Sequence, residues 1–180
     1  MDSIYKFINR AIVNDSVKFN LDAVPNIWEI NYYKESIFDD TIFTQDDINF
    51  IKFQIKEAEK IIWSQDKIKN AVVIDEEELN RIFRNENKGW RKFNRKFGNC
   101  CTTYSIPIFS LDYDYCIFYE WVQCHYLMGY GSLSIFRKEG DKWIFVKTIF
   151  TGISDNNCPQ QRLILHSLHS PRWAKSVSSS

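Results

Sequence analysis

From Arg81 to Phe97 the chain carries seven basic side chains, Arg81, Arg84, Lys88, Arg91, Lys92, Arg95 and Lys96, against the single acid Glu86. Trp90, Phe93 and Phe97 are interleaved with them. On a helix the three aromatics fall on one side and Arg91, Lys92, Arg95 and Lys96 lie largely across from them. A cationic face of this kind raises the local concentration of anions. It can dock an acidic protein surface and speed encounter, or hold nucleic-acid phosphates. The same pattern also describes an ordinary solvated face above a core stripe. The partner-binding candidates are Arg84, Lys88, Arg91, Lys92, Arg95 and Lys96. An acidic protein partner ranks above nucleic acid, because the formal net charge is zero and no nucleic-acid motif is recognised.

Glu120 is the second candidate. It stands in the strongly apolar run Tyr115–Tyr126, on the same side as Cys116, Phe118, Val122 and Cys124. Burial there would raise its pKa and suit it to acid–base work, or it satisfies an Arg or Tyr partner as a structural group. His125 adjoins Cys124, but successive strand side chains point to opposite faces, so the pair cannot act together as nucleophile and base or as ligands of one metal. Glu120 and His125 are therefore only weak catalytic candidates. His166 and His169 are closer in sequence than the usual zinc pair, with Cys158 as a third donor, so no metal site is assigned. Gly129-Tyr130-Gly131 lacks the third glycine and following helix of a dinucleotide fingerprint, and reads as a bulge or tight turn. Asp112 and Asp114 read as turn residues. Phosphate-loop, zinc-protease and serine-hydrolase motifs do not occur. No cofactor is expected.

The 180 residues, 44% apolar and 16% aromatic, suffice for one well-filled core. A neutral total excludes a uniformly basic nucleic-acid binder and a highly charged disordered chain. No stretch reaches the ~20 apolar residues of a membrane span. The first residues lack the basic and apolar regions of a secretory signal, so a cytoplasmic location is expected. The five cysteines, Cys100, Cys101, Cys116, Cys124 and Cys158, are odd in number and irregularly spaced. Cys116 and Cys124 lie eight residues apart in one strand, roughly 26 Å, too far to bridge. Free thiols are expected, with these two as small buried hydrophobes.

Helical spacing positions the first half of the chain. Ile4, Phe7, Ile8, Ala11 and Ile12 predict a helix over 2–13; residues 20–43 read as irregular. Ile48, Ile51, Ile55, Ala58 and Ile62 predict the clearest helix, over 45–64, with Thr44 as N-cap, Asp47 completing the box and Trp63 closing the packed face. Acids open a shorter helix at 75–85, and a third covers 89–97 with Gly98 as its C-terminal residue. The period then changes. Strands are predicted at 102–109, 115–126, 131–137 and 142–153, with a Gly turn at Lys138–Asp141. The expected fold is α+β: N-terminal helices packed on a C-terminal antiparallel meander of about four strands. Residues 1–154 form its single domain. Residues 155–180 are expected to be a partly disordered extension ending in a frayed Ser-rich tail.

The Ser105-Ile106-Pro107-Ile108-Phe109 strand, the Gly129-x-Gly131 step, the Lys142-Trp143 strand and the Ile153-Ser154 end form a recognisable cadence. Over roughly residues 45–154 the chain resembles small uncharacterised α+β proteins of Bacteroidota. The resemblance implies a fold and a bacterial origin, and no activity.

Three functions follow as expectations. The first is a non-catalytic protein-binding module, of the immunity type that neutralises a toxin, using the basic 81–97 face. The second is a small-ligand-binding or hydrolytic domain with a pocket on the sheet lined by Glu120, His125 and Tyr119. The third is nucleic-acid binding through the same basic face.

Overall fold

A computed structural model describes residues 2–13, 17–38, 41–58 and 60–154. The expected extension 155–180, with Cys158, His166 and His169, lies outside them. The chain opens with helix α1 (Asp2–Phe7), which runs on through wider turns at Ile8–Ile12. Strand β1 (Phe19–Asp22) and two short helices, α2 (Trp28–Tyr32) and α3 (Lys34–Phe38), occupy the stretch expected to be irregular. Helix α4 (Gln45–Ala58) follows, then strand β2 (Ala71–Ile74) and helices α5 (Glu76–Phe83) and α6 (Glu86–Phe97). The remainder is strand: β3 (Cys101–Tyr104), β4 (Ile108–Phe109), β5 (Tyr115–His125), β6 (Met128–Glu139) and β7 (Lys142–Ser154).

The α+β class holds, but the expected four-strand meander is corrected to a mixed seven-stranded sheet. Its order is β2-β1-β3-β5-β6-β7, with β4 also on β5. β1 pairs parallel to both β2 and β3; the other pairings are antiparallel. Parallel neighbours are joined by long crossovers rather than hairpins. No local turn signal marks them, and four-residue strands are too short to show a period. The predicted strand 102–109 is two short strands separated by Pro107, which has no N–H to give a ladder.

Helix ends follow local chemistry. Asp47 N–H donates to Thr44 Oγ1 at 3.2 Å while Thr44 N–H donates to Asp47 Oδ2 at 2.9 Å, the expected reciprocal box. α4 ends at Ala58 rather than continuing to residue 64, and Trp63 is buried beyond it. Asp75 caps α5 by accepting from Glu78 N–H at 2.7 Å. α6 stops at Gly98, whose φ of 103° a residue with a Cβ rarely adopts.

The register assigns faces. Cys116, Phe118, Glu120 and Val122 share one side of the sheet with Phe136, Ser134, Ser132 and Tyr130 of β6 and with Tyr104 and Thr102 of β3. Phe7 of α1 covers one end of this side. Its ring meets Phe118 at 5.3 Å, Phe136 at 5.4 Å and Trp143 at 5.3 Å in edge contacts. The other side carries Ile117, Tyr119, Trp121 and Gln123. Trp121 lies over Gly129, Gly131 and Gly152. A Cβ on Gly131 would stand 2.1 Å from the Glu120 carbonyl oxygen and 2.8 Å from the indole ring. The Gly-x-Gly step is thus no turn: it is mid-strand backbone that a large ring approaches closely. At the sheet's edge, the Gln54 amide donates to Phe109 O at 2.7 Å and accepts from Phe109 N–H at 3.1 Å. A side chain of α4 thereby satisfies an edge strand.

Candidate functional site

α6 is amphipathic, and its apolar side fixes its position. Trp90 and Phe93 are buried with Ile74, Leu79, Ile82, Phe83 and Cys101, and Phe97 packs against them. Ring contacts link Phe83 to Trp90 at 5.1 Å, Trp90 to Phe93 at 5.4 Å and Phe93 to Phe97 at 5.3 Å. Together they form a small core separate from the main one. Two devices tie it to the sheet. The Asn20 amide of β1 donates to Phe97 O at 3.1 Å and to Cys100 O at 2.8 Å, taking up the carbonyl of the last helical residue and one just past the helix. A disulfide then joins Cys100 to Cys124 at the end of β5.

This bond overturns the expectation that Cys100 and Cys124 are free thiols. Spacing along β5 correctly forbade a Cys116–Cys124 bridge, but register brings Cys100, just ahead of β3, beside the far end of β5. Cys101 and Cys116 are the free cysteines among the described residues, and both are buried. Burial pushes both thiols well above their usual pKa, and the nearby Asp22 adds to the rise at Cys101. Neither is therefore an activated nucleophile.

The opposite face of α6 carries the charge. Lys88, Arg91 and Arg95 are exposed and Lys92 partly so, with Arg84 exposed just ahead of the helix. Their spacing of three and four residues sets them in one ridge. None of these five makes an ion pair among the described residues. Two other cations of the segment are engaged. Glu78 of α5 accepts from Arg81 at 2.6 Å and from Lys96. Hydrogen bonds from Lys96 and then Arg81 hold its carboxyl below the usual range. Lys96 therefore belongs to the ridge's edge, partly neutralised, while Arg84, Lys88, Arg91, Lys92 and Arg95 form its body.

Glu120 and His125 do not come together. Glu120 is partly buried on one side of β5, next to Tyr104 of β3 and Ser132 of β6. Burial raises its pKa. His125 is exposed, beyond the register shift at Gln123/His125, and stacks on Trp90 at 6.5 Å under α6. Tyr119 projects to the opposite side from Glu120. The three residues expected to line one pocket are thus divided between two faces. Among the described residues no group of three His, Cys, Asp or Glu side chains is placed to hold a metal ion. No helix among them is long and apolar enough to cross a membrane. Asp112 serves its turn, accepting from Ser110 Oγ at 2.6 Å and from Asp114 N–H at 3.1 Å.

Sequence reasoning found the ridge from its charge and its aromatic counter-stripe. It missed the disulfide and the Asn20 clamp, both of which depend on β1 and β3 being neighbours. No protein-family model, curated protein or solved structure matches this chain.

Proposed function

We propose that this chain is a non-catalytic protein-binding module that docks an acidic partner surface on the α6 ridge. One observation carries the reading: five cations without ion-pair partners among the described residues form one ridge, four of them on a helix held by its own aromatic core, a side-chain clamp and a disulfide, and Arg84 just ahead of it. Preorganisation of this kind lowers the entropic cost of binding. Like charges gathered on one rigid face favour a complementary negative surface and accelerate encounter with it. The aromatics of α6 point inward, so the ridge offers no platform for stacking bases, which supports a protein partner over a nucleic acid. The division of Glu120, His125 and Tyr119 between two faces supports a non-catalytic role. An immunity-type activity, with a toxin as the acidic partner, is the form this reading takes in a bacterium. The disulfide weighs against the expected cytoplasmic location, because cytosolic thiols are kept reduced. We therefore place the docking in an oxidising compartment.

Affinity capture with the full chain from nuclease-treated extract of its source cell tests the proposal. A discrete acidic protein, retained at low salt and released as salt shortens the Debye length to about 5 Å or less, is the expected result. Recovery of nucleic acid alone, or of no specific protein, overturns it.

A further inference from the structure

The side of the sheet opposite α6 holds a carboxylate that no group among the described residues satisfies. Glu120 is partly buried, yet it makes no hydrogen bond or ion pair among the described residues. A carboxylate withdrawn from water without a partner is costly, and proteins rarely leave one so. Its surroundings have a definite chemistry. Tyr104 lies directly across on β3, its ring packed between Phe118 at 5.2 Å and Phe19 at 5.8 Å. Burial, then the Glu120 carboxylate and the Tyr130 phenol, push the Tyr104 hydroxyl above its usual pKa, so all three acidic groups face one locality. Ser132 lies across from Glu120 on β6, at the end of a hydroxyl row in which Ser134 donates to Ser132 at 3.3 Å and meets Thr148 at 3.4 Å. Tyr130, 57% exposed, and its β7 partner Ile153, 58% exposed, form an aromatic and apolar rim. Phe7 covers the Phe118 end of this side, and the Glu120 end carries these exposed side chains.

We infer that Glu120, Tyr104, Tyr130 and Ser132 form a second binding site, for a small organic cation carrying a protonated amine or a guanidinium on a short alkyl chain. The cationic head would pair with the Glu120 carboxylate as a charge-assisted donor and lie against the face of the exposed Tyr130 ring, with the buried Tyr104 forming the floor beside it. Ser132 adds a hydroxyl acceptor, and the alkyl part lies along Ile153. The site is on the opposite side of the sheet from the α6 ridge and of opposite sign, so it stands independently of the proposed docking function.

Titration of the isotope-labelled full chain with n-butylammonium and n-butylguanidinium, followed by amide chemical shifts at pH 7.5, tests the inference. Saturable shifts are expected at residues 104, 120, 130 and 132, with none from n-pentanol at equal concentration. Glu120→Gln, which keeps the shape of the side chain, should weaken binding about ten- to a hundredfold, the loss of one contact to a charged group. Tyr130→Ala, an exposed position that leaves the core intact, should weaken it by a smaller factor. Binding should also fade as acid protonates Glu120. The absence of saturable shifts, equal shifts from pentanol, or undiminished binding by a folded Glu120→Gln protein would each overturn the site.

Discussion

Replacing Cys100 and Cys124 together by alanine removes the disulfide that ties the end of the α6 region to the central strand. The two cysteines are separated by 24 residues. In the chain-entropy treatment, a closed loop of that length stabilises the folded state by about 3.5 kcal/mol at 25 °C. For an m-value of about 2 kcal/mol/M, the urea midpoint of the double variant should fall by about 1.5–2 M relative to the oxidised protein. The loss should also be local. The increase in exchange should be larger for amides near the end of α6, around residues 95–98, than for those of β5 and β6, because only the Asn20 clamp and the packing of Phe97 would then hold that terminus. The assay is paired: urea unfolding of oxidised, reduced and double-variant protein, with alkylation in denaturant before and after reduction. Cys100 and Cys124 should resist alkylation until reductant is added. Labelling of both without reductant would refute the bond. An unchanged midpoint in the double variant would refute the reasoning that it constrains the unfolded chain.

Three further outcomes follow from the packing. Gly131→Ala would place a Cβ 2.1 Å from a backbone oxygen of the paired strand; it should cost at least about 3 kcal/mol by urea unfolding, as an overpacked core position does. Gln54→Ala leaves both backbone groups of Phe109 without their side-chain partner, and a loss of about 1–3 kcal/mol is expected. Glu120→Gln should raise stability at neutral pH. The folded protein raises the pKa of Glu120 above its ordinary 4.5, so the ionised group opposes folding above the folded pKa and ceases to do so below the unfolded value. The difference in melting temperature between variant and wild type should therefore shrink as pH falls and vanish near pH 4.

The parts of the fold legible in the sequence were those written in local chemistry. The Thr44–Asp47 box, the acids opening α5, Gly98 after α6 and the aromatic stripe of α6 each act within one or two turns. Each stands where its pattern placed it, with α6 beginning three residues earlier than expected. The long strands β5, β6 and β7 were also visible, because their length and hairpin turns signal themselves. What was hidden depends on long-range pairing. β1 and β2 are four residues each, and their parallel pairing rests on crossovers that leave no periodic mark. The disulfide was hidden for the same reason: nothing short of the β3–β5 register brings Cys100 to Cys124. The ridge on α6 was legible because charge and helical period coincide there. The aromatic surroundings of Glu120 were not, since Tyr104 and Tyr130 reach it across two different strand pairings.

The neutral total charge conceals an asymmetry that bears on binding: Arg81 and Lys96 are engaged by Glu78, while five neighbouring cations are not. Reversing Lys88, Arg91 and Arg95 together to glutamate changes exposed side chains only and leaves Trp90, Phe93 and Phe97 in place. The most direct measurement is the association and dissociation rate of the captured acidic partner with wild-type and triple-variant protein, at low and at moderate salt. The account predicts an association rate about ten- to a hundredfold slower for the variant and a flattened salt dependence. An association rate and salt dependence unchanged by the reversal would contradict it.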